Sequence, residues 1–441
     1  MRPPQASAEF FGPAATPLFG WLHASATPAT LGLVVCAPLG HEMLHCRRSL
    51  RVLAAAAAQR GLPCLQFDFS GCGDSADVAP PGGVDAVGED RVARWQADIE
   101  AAIAHLQART GVAQVAVLGV RSGLLLAAPV AARHPAVAAL LALAPVVSGR
   151  RLLREWRALH STGAQQGGTS AQAGDGGLDV AGFAFDQATC SALAAIDLAQ
   201  LALPARLPVW VGDRDDLPSG TGWVQALRAA GLAVEANAAP GLPAMLDEPQ
   251  RHVVPQAALQ SLLDWTSALV AGLPVAPGAA GAPQQVPEPP PVAATAAPRL
   301  LAGVAAGVQE HGVWLQGRGA DSGVALFGIV SEPAPPAAGH AAATPVLLLV
   351  NTGPVHHVGG HRLYVALARR LAAQGQAVLR LDLSGLGDSP PRAGQAAGVV
   401  YGPDAVADVG VAVAAAQERW PGAPIHLLGL CAGGYHALKL A

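Results

Sequence analysis

Short unbroken apolar runs recur along the chain, and most are followed by a polar, glycine-containing exit. Residues 17–23, 31–36, 63–67, 138–144, 207–212 and the weaker 232–236 read as strands, as does the run beginning at Val115. Runs with no polar alternation fit parallel strands covered on both faces. Between them lie stretches with helical spacing, over about 48–60 (stopped by Gly61, a glycine cap), 92–109 and 255–269. Residues 1–16 are polar and proline-rich and read as a loose lead-in. Residues 148–200 turn Arg-rich and then Gly/Ser/Ala-rich, which predicts an insertion or cap over the sheet. Strand alternating with helix predicts an α/β fold with a doubly wound, mostly parallel sheet.

Residues 271–299 are dense in proline, alanine and glycine. Such a stretch favours an extended linker over a core. The strand and helix pattern then restarts. Residues 313–315 and 324–329 resemble paired edge strands, and 346–350, 377–381 and 425–428 are buried strands. Helices are expected over 362–373, 404–418 and 435–441. The expected organisation is a first domain over 1–270, a linker over 271–299 and a second domain over 300–441.

Two motifs occur once in each half. DFSGCGDS at 68–75 matches DLSGLGDS at 382–389, a shift of 314. The turn Gly119-Val-Arg-Ser-Gly123 matches Gly429-Leu-Cys-Ala-Gly433, a shift of 310. Two separated motifs kept in order with nearly equal offsets indicate an internal duplication. After its turn the first copy continues for about 140 residues, whereas the second has eight after Gly433. The second domain is therefore expected to be the N-terminal half of such a fold.

A glycine-x-nucleophile-x-glycine turn between a strand and a helix exposes its central side chain at the carboxyl end of a sheet. In the second copy that residue is Cys431. A thiol there gains from the positive end of the following helix and is a stronger nucleophile than serine once ionised. In the first copy it is Arg121, which cannot act as an acyl-transfer nucleophile. Arg121 could bind an anion, or it could form an internal salt bridge with Asp213 or Asp215. Ser122 is adjacent, but one residue's shift points its hydroxyl away from the apex.

Composition narrows the alternatives. The formal charge of −4 gives no reason to expect nucleic acid as partner. No stretch reaches the roughly 18 apolar residues of a membrane helix, and the N-terminus lacks a signal-peptide layout, so a cytoplasmic protein without stable membrane insertion is expected. Six cysteines without regular spacing argue against a disulfide framework and a zinc site. His41-Glu42, with His45 four residues on, is read as resembling a metal pair only superficially, and the Gly-rich exits lack the third glycine of a nucleotide site. No metal and no cofactor are expected. The DxSGxGDS loops read first as tight turns in which Asp68 and Asp382 accept local backbone hydrogen bonds.

PLFGWLH (17–23), APLGHE (37–42), DFSGCGDS, HRLYVALARRLAAQG (361–375), VLRLDLSGLGDS (378–389) and GLCAGGYHALK (429–439) together resemble α/β-hydrolases of the serine aminopeptidase-like kind. More closely, they resemble two-domain bacterial proteins related to hydrolases associated with exosortase A systems. The resemblance implies two α/β-hydrolase-type domains, with an eight-stranded sheet in each complete one. It also implies a nucleophile at the turn, an acid after the seventh strand and a histidine after the eighth. On that pattern Cys431 is the nucleophile. The Ala432 N–H and an N–H near Thr352 or Gly353 would form the oxyanion hole. Asp213, Asp215 and Asp216 take the acid's place in the first copy, where no histidine follows in 239–246 and His252 comes late. No acid follows Cys431 in this sequence, and none of His356, His357, His361, His426 and His436 is expected in the position of the fold's catalytic histidine. Two functions stay open. One is acyl transfer, or ester or thioester hydrolysis, on a small-molecule acyl or ester substrate. The other is a non-catalytic binding or scaffold protein linked to exopolysaccharide or surface-protein export.

Overall fold

The computed structural model describes residues 6–77, 91–165, 177–272, 299–300, 307–333 and 345–441. The expected linker over 271–299 falls almost wholly outside them. Among the described residues, those up to 12, 20–69 and 91–272 form one compact unit, and 13–19, 70–77 and those from 299 onward form a second.

In chain order the first unit's sheet comprises β1 (Ala6–Phe11), β2 (Leu18–His23), β3 (Leu31–Cys36), β4 (Cys64–Phe67), β5 (Gln114–Val120), β6 (Val137–Leu143), β9 (Val209–Asp213) and β10 (Val234–Ala238). Two short strands, β7 (Leu178–Val180) and β8 (Phe183–Phe185), form a separate antiparallel pair within the 148–200 insertion. The helices are α1 (His41–Gln59), α2 (Arg91–Thr110), α3 (Gly123–Arg133), α4 (Gly149–Gln165), α5 (Gln187–Ala195), α6 (Thr221–Ala229), α7 (Leu242–Met245) and α8 (Gln256–Gly272). The eight strands lie in the order β1-β2-β4-β3-β5-β6-β9-β10. β2 runs antiparallel to β4, and every pairing from β4 to β10 is parallel. All six residues of β3 are buried, as a central strand covered on both faces requires.

The expected lead-in over 1–16 is corrected: 6–11 is an edge strand. Glu9 anchors it by accepting from Arg109 at 2.8 Å and pairing with His105 at 2.8 Å, both on α2. Burial opposes the Glu9 charge, but these partners hold its carboxyl down at about 2. Helix α1 begins at His41, seven residues before the expected start.

The second unit's sheet contains β11 (Arg299–Leu300), β12 (Val308–Gln316), β13 (Ala325–Pro333), β14 (Val346–Val350), β15 (Val378–Leu381) and β16 (Ile425–Gly429), with helices α9 (Leu363–Ala373), α10 (Ala405–Arg419) and α11 (Ala432–Leu440). Its order is β11-β12-β13-β15-β14-β16. The sheet is mixed: β12 and β13 pair antiparallel along nine residues, β13 meets β15 antiparallel, and only β15-β14-β16 is parallel. β13 is thus an interior strand and not an edge. The run β13-β15-β14-β16 repeats the order and directions of β2-β4-β3-β5. In both units the chain goes from the central strand (β3, β14) to one side and returns to the other (β5, β16). That reversal opens a crevice at the carboxyl ends.

The loop after β14 is held by a buried network. Asp382 accepts from Asn351 Nδ2 (2.7 Å), His357 N (2.7 Å) and Asp388 N (2.9 Å), and it bonds His357 Nδ1 (2.7 Å). The other ring nitrogen of His357 bonds Asp74 at 2.7 Å. Asp74 also takes Arg380 Nη1 at 2.5 Å, and Glu310 takes Arg369 (2.8 Å) and Arg380 (3.3 Å). His357, Asp74, Arg380 and Glu310 are sealed from solvent. Burial opposes the His357 charge, yet Asp74 and Asp382 outweigh it and push its pKa up to about 10. Burial likewise resists the Asp74 charge, while His357 and Arg380 hold its carboxyl well below the usual range.

Two outcomes follow. The raised His357 contributes its full stability below its ordinary value of 6.5 and loses it as pH climbs toward about 10. Urea midpoints are expected to fall across that window, and His357→Gln should flatten the fall. Asp74→Asn strands a buried arginine and imidazolium, and is expected to cost about 3–5 kcal/mol in the same unfolding measurement.

Candidate functional site

The β5-to-α3 and β16-to-α11 turns share a positive-φ apex. Arg121 sits at φ 49° and Cys431 at φ 54°, a left-handed conformation that costs a non-glycine residue about 1–3 kcal/mol. The flanking glycines are required by close approach. A Cβ on Gly123 would lie 2.3 Å from the Cys36 carbonyl oxygen, and one on Gly433 would lie 2.6 Å from those of Val350 and Asn351. A Cβ on Gly119 would meet the Leu124 Cα at 2.4 Å, and one on Gly429 the Gly433 carbonyl carbon at 2.2 Å. Helix and strand are thus pinned together at each turn, and the apex residue is pushed outward.

Cys431 is exposed and occupies the N-cap of α11. It lies at the positive end of the helix, beside N–H groups that have no intrahelical acceptor. The Ala432 N–H is the first of these. Tyr364 fastens the turn to the neighbouring strand: its hydroxyl accepts from Leu430 N and donates to Val350 O, both at 3.1 Å. In the loop after β14, Gly353 has φ 57° with open space where a Cβ would be, and the Thr352 Oγ1 is buried without a hydrogen-bond partner. The turn and this loop are the two sides of the crevice between β14 and β16.

Sequence reasoning missed Tyr401. It lies close enough to Cys431 that electrostatic interaction with that residue, more than desolvation, raises the phenol's pKa. Tyr401 also stands edge-on to Tyr435, with ring centroids 5.7 Å apart, and 5.7 Å from His436. His436 is buried and bonds Val400 O through Nε2 at 3.0 Å, while its Nδ1 has no hydrogen-bond partner. Tyr401 lies thirty residues before the thiol in a segment without strand or helix periodicity, so no local pattern marked it.

The turn in the first unit is chemically different. Arg121 Nε donates to Glu42 at 2.9 Å and Nη2 to Glu155 at 2.9 Å. Burial works against the Arg121 charge, and the two carboxylates more than offset it, raising its pKa. The expected salt bridge to Asp213 or Asp215 is corrected. Asp213 is occupied by the N–H groups of Arg214 (2.9 Å), Ser219 (2.9 Å) and Gly220 (2.6 Å), and Asp215 is exposed. The buried Ser122 hydroxyl accepts from Leu39 N at 2.8 Å. His252 lies in the loop before α8 and bonds Ser49 at 2.9 Å. Burial pushes its pKa down to about 4. Asp68 pairs with Arg47 at 3.1 Å. The apex therefore holds a neutralised ion group and no nucleophile.

The closest group of three possible metal ligands among the described residues is His357, Asp382 and Asp388. Both His357 nitrogens and the Asp382 oxygens are already committed to hydrogen bonds. The set fits an ion cluster better than a metal.

Several solved structures are similar in chain course. Est1E from Butyrivibrio proteoclasticus with bound ferulic acid is 16% identical, with a TM-score of 0.41, over 59% of this chain and 99% of that one. An esterase of Pyrococcus furiosus is 14% identical, with a TM-score of 0.40, over 60% and 90%. A serine hydrolase without a lid from Xanthomonas campestris is 15% identical, with a TM-score of 0.36, over 63% and 99%. No curated protein matches the chain. Residues 347–441, from β14 through the Cys431 turn, match the family described as serine aminopeptidase, S33.

Proposed function

We propose that the second unit is an acyl-transfer site working through Cys431, on a small-molecule ester or thioester, and that the first unit is a non-catalytic copy of the same sheet. The observation that carries the reading is an exposed thiol at a positive-φ apex, placed at a helix N-terminus. The repeated strand order and the repeated turn support the duplication.

In the reaction, the Cys431 thiolate forms an S–C bond to the acyl carbonyl carbon. The negative charge moves to the carbonyl oxygen, where the Ala432 N–H and the Thr352–Gly353 segment can donate. Collapse expels the alcohol or thiol with the bonding pair, and it takes a proton from solvent. Water, or a second acceptor, then cleaves the S-acyl intermediate and regenerates the thiol. Tyr401 stabilises the charged sulfur by donating to it. In the first unit, Arg121 closed by Glu42 and Glu155 favours a stabilising or ligand-holding role.

Incubation with an activated thioester followed by intact-mass measurement is expected to give one acyl adduct, absent in Cys431→Ala. An unmodified wild-type protein would sink the acyl-transfer reading and leave a scaffold role. Tyr401→Phe keeps the ring and removes the donor. It is expected to slow adduct formation roughly tenfold, the scale of one hydrogen bond of about 1–1.5 kcal/mol. An unchanged rate would remove Tyr401 from the site.

A further inference from the structure

Beside the thiol's surroundings the second unit contains a cavity of about 160 Å³, walled by Leu383, Leu386, Val399, Val400, Pro403 and Ala405. Part of its polar lining is engaged: Asp408 accepts from Ser384 N at 2.8 Å and from Arg392 at 2.6 Å, and Gln395 donates to Asp404. The rest of the wall is mainly apolar. Dry apolar cavities of about 150 Å³ hold one benzene-sized molecule, so the volume suits a group of about six carbons and not a long acyl chain or a sugar.

The wall is shared with the thiol site. Val399 and Val400 line the cavity, Val400 O bonds His436, and the next residue, Tyr401, packs on Tyr435 and His436 in the first turns of the helix that Cys431 caps. Val399 is 49% exposed, so this wall of the cavity reaches the surface. We infer that this cavity is the acyl-group subsite and that the substrate's acyl part is a small apolar group such as hexanoyl or benzoyl. The inference rests on Cys431 being the acyl acceptor.

The test uses the full chain and p-nitrophenyl acetate, hexanoate and decanoate. The Cys431–acyl bond forms as p-nitrophenolate leaves with the bonding pair, and adduct rates are read by intact mass. Hexanoate is expected to react at least tenfold faster than acetate, and decanoate to gain nothing further, since each buried methylene contributes about 0.8 kcal/mol only while it fits. Ala396→Phe, at the exposed rim, and Ala405→Leu, in the wall, should each bring hexanoate down to the acetate rate and leave acetate unchanged. Equal rates along the series, or a hexanoate preference that survives both fillings, would overturn the subsite. A wild-type chain that forms no adduct with any ester would instead overturn the Cys431 reading. In that case the thermal shift of Cys431→Ala with benzyl alcohol decides on the cavity: a shift lost in Ala396→Phe retains it as an apolar ligand site, and no shift removes it.

Discussion

The second unit depends on one carboxylate. Asp382, at the end of β15, gathers Asn351, both the backbone and the ring of His357, and Asp388 within hydrogen-bond distance. A buried carboxylate so surrounded fixes everything that points at it. Because Asn351 and His357 bracket the loop after β14, the position of Thr352 and Gly353 is a consequence of where Asp382 lies. His357 passes the constraint on to Asp74, and through it to Arg380 and Glu310. Replacing such a cluster by well-packed apolar side chains can be neutral or even stabilising. Its physical value is directional: salt bridges accept few geometries, whereas apolar contacts accept many. A loop held at the side of a narrow crevice is fixed in direction by the former.

The two strand-to-helix turns separate scaffold from chemistry. The second glycine of each meets carbonyl oxygens at the end of the neighbouring strand, and the apex φ angles differ by only a few degrees. What differs is the reach of the apex side chain. Arg121 is long enough to meet Glu42 on α1 and Glu155 on α4, and the apex is 8% exposed as a result. Cys431 has one heavy atom beyond Cβ and leaves the apex open. The same strained backbone thus supports a closed ion group in one unit and an accessible thiol in the other.

Much of this fold was legible because central parallel strands are uninterrupted apolar runs, as 31–36 and 346–350 are. The turns were legible because their glycines are obligatory. Charged residues that are buried by pairing hid the rest. Helix α1 looked seven residues shorter because His41, Glu42, His45 and Arg47 read as solvent-facing, yet Glu42 and Arg47 are buried against Arg121 and Asp68. The strand 6–11 looked like a tail because its anchor, Glu9, meets α2 about a hundred residues away. The partners of Arg121 were misassigned for the same reason. Proximity after a strand pointed to Asp213, whereas backbone N–H groups already saturate that carboxylate.

Tyr401 shows how a segment without regular structure can still place a side chain. The stretch between β15 and α10 is closed on itself: Gly385 N donates to Pro390 O at 3.0 Å, and Gly398 N to Gly385 O at 2.9 Å. Arg392 then ties it to Asp321 at 2.8 Å and to Asp408 at 2.6 Å. Each closure removes freedom that a surface loop normally keeps. The segment is therefore held nearly as firmly as a helix would be, but its direction is set by glycine turns and ion pairs instead of periodicity. Sequence patterns register periodicity and miss such closures, which is why the thiol could be found by its motif and its tyrosine could not.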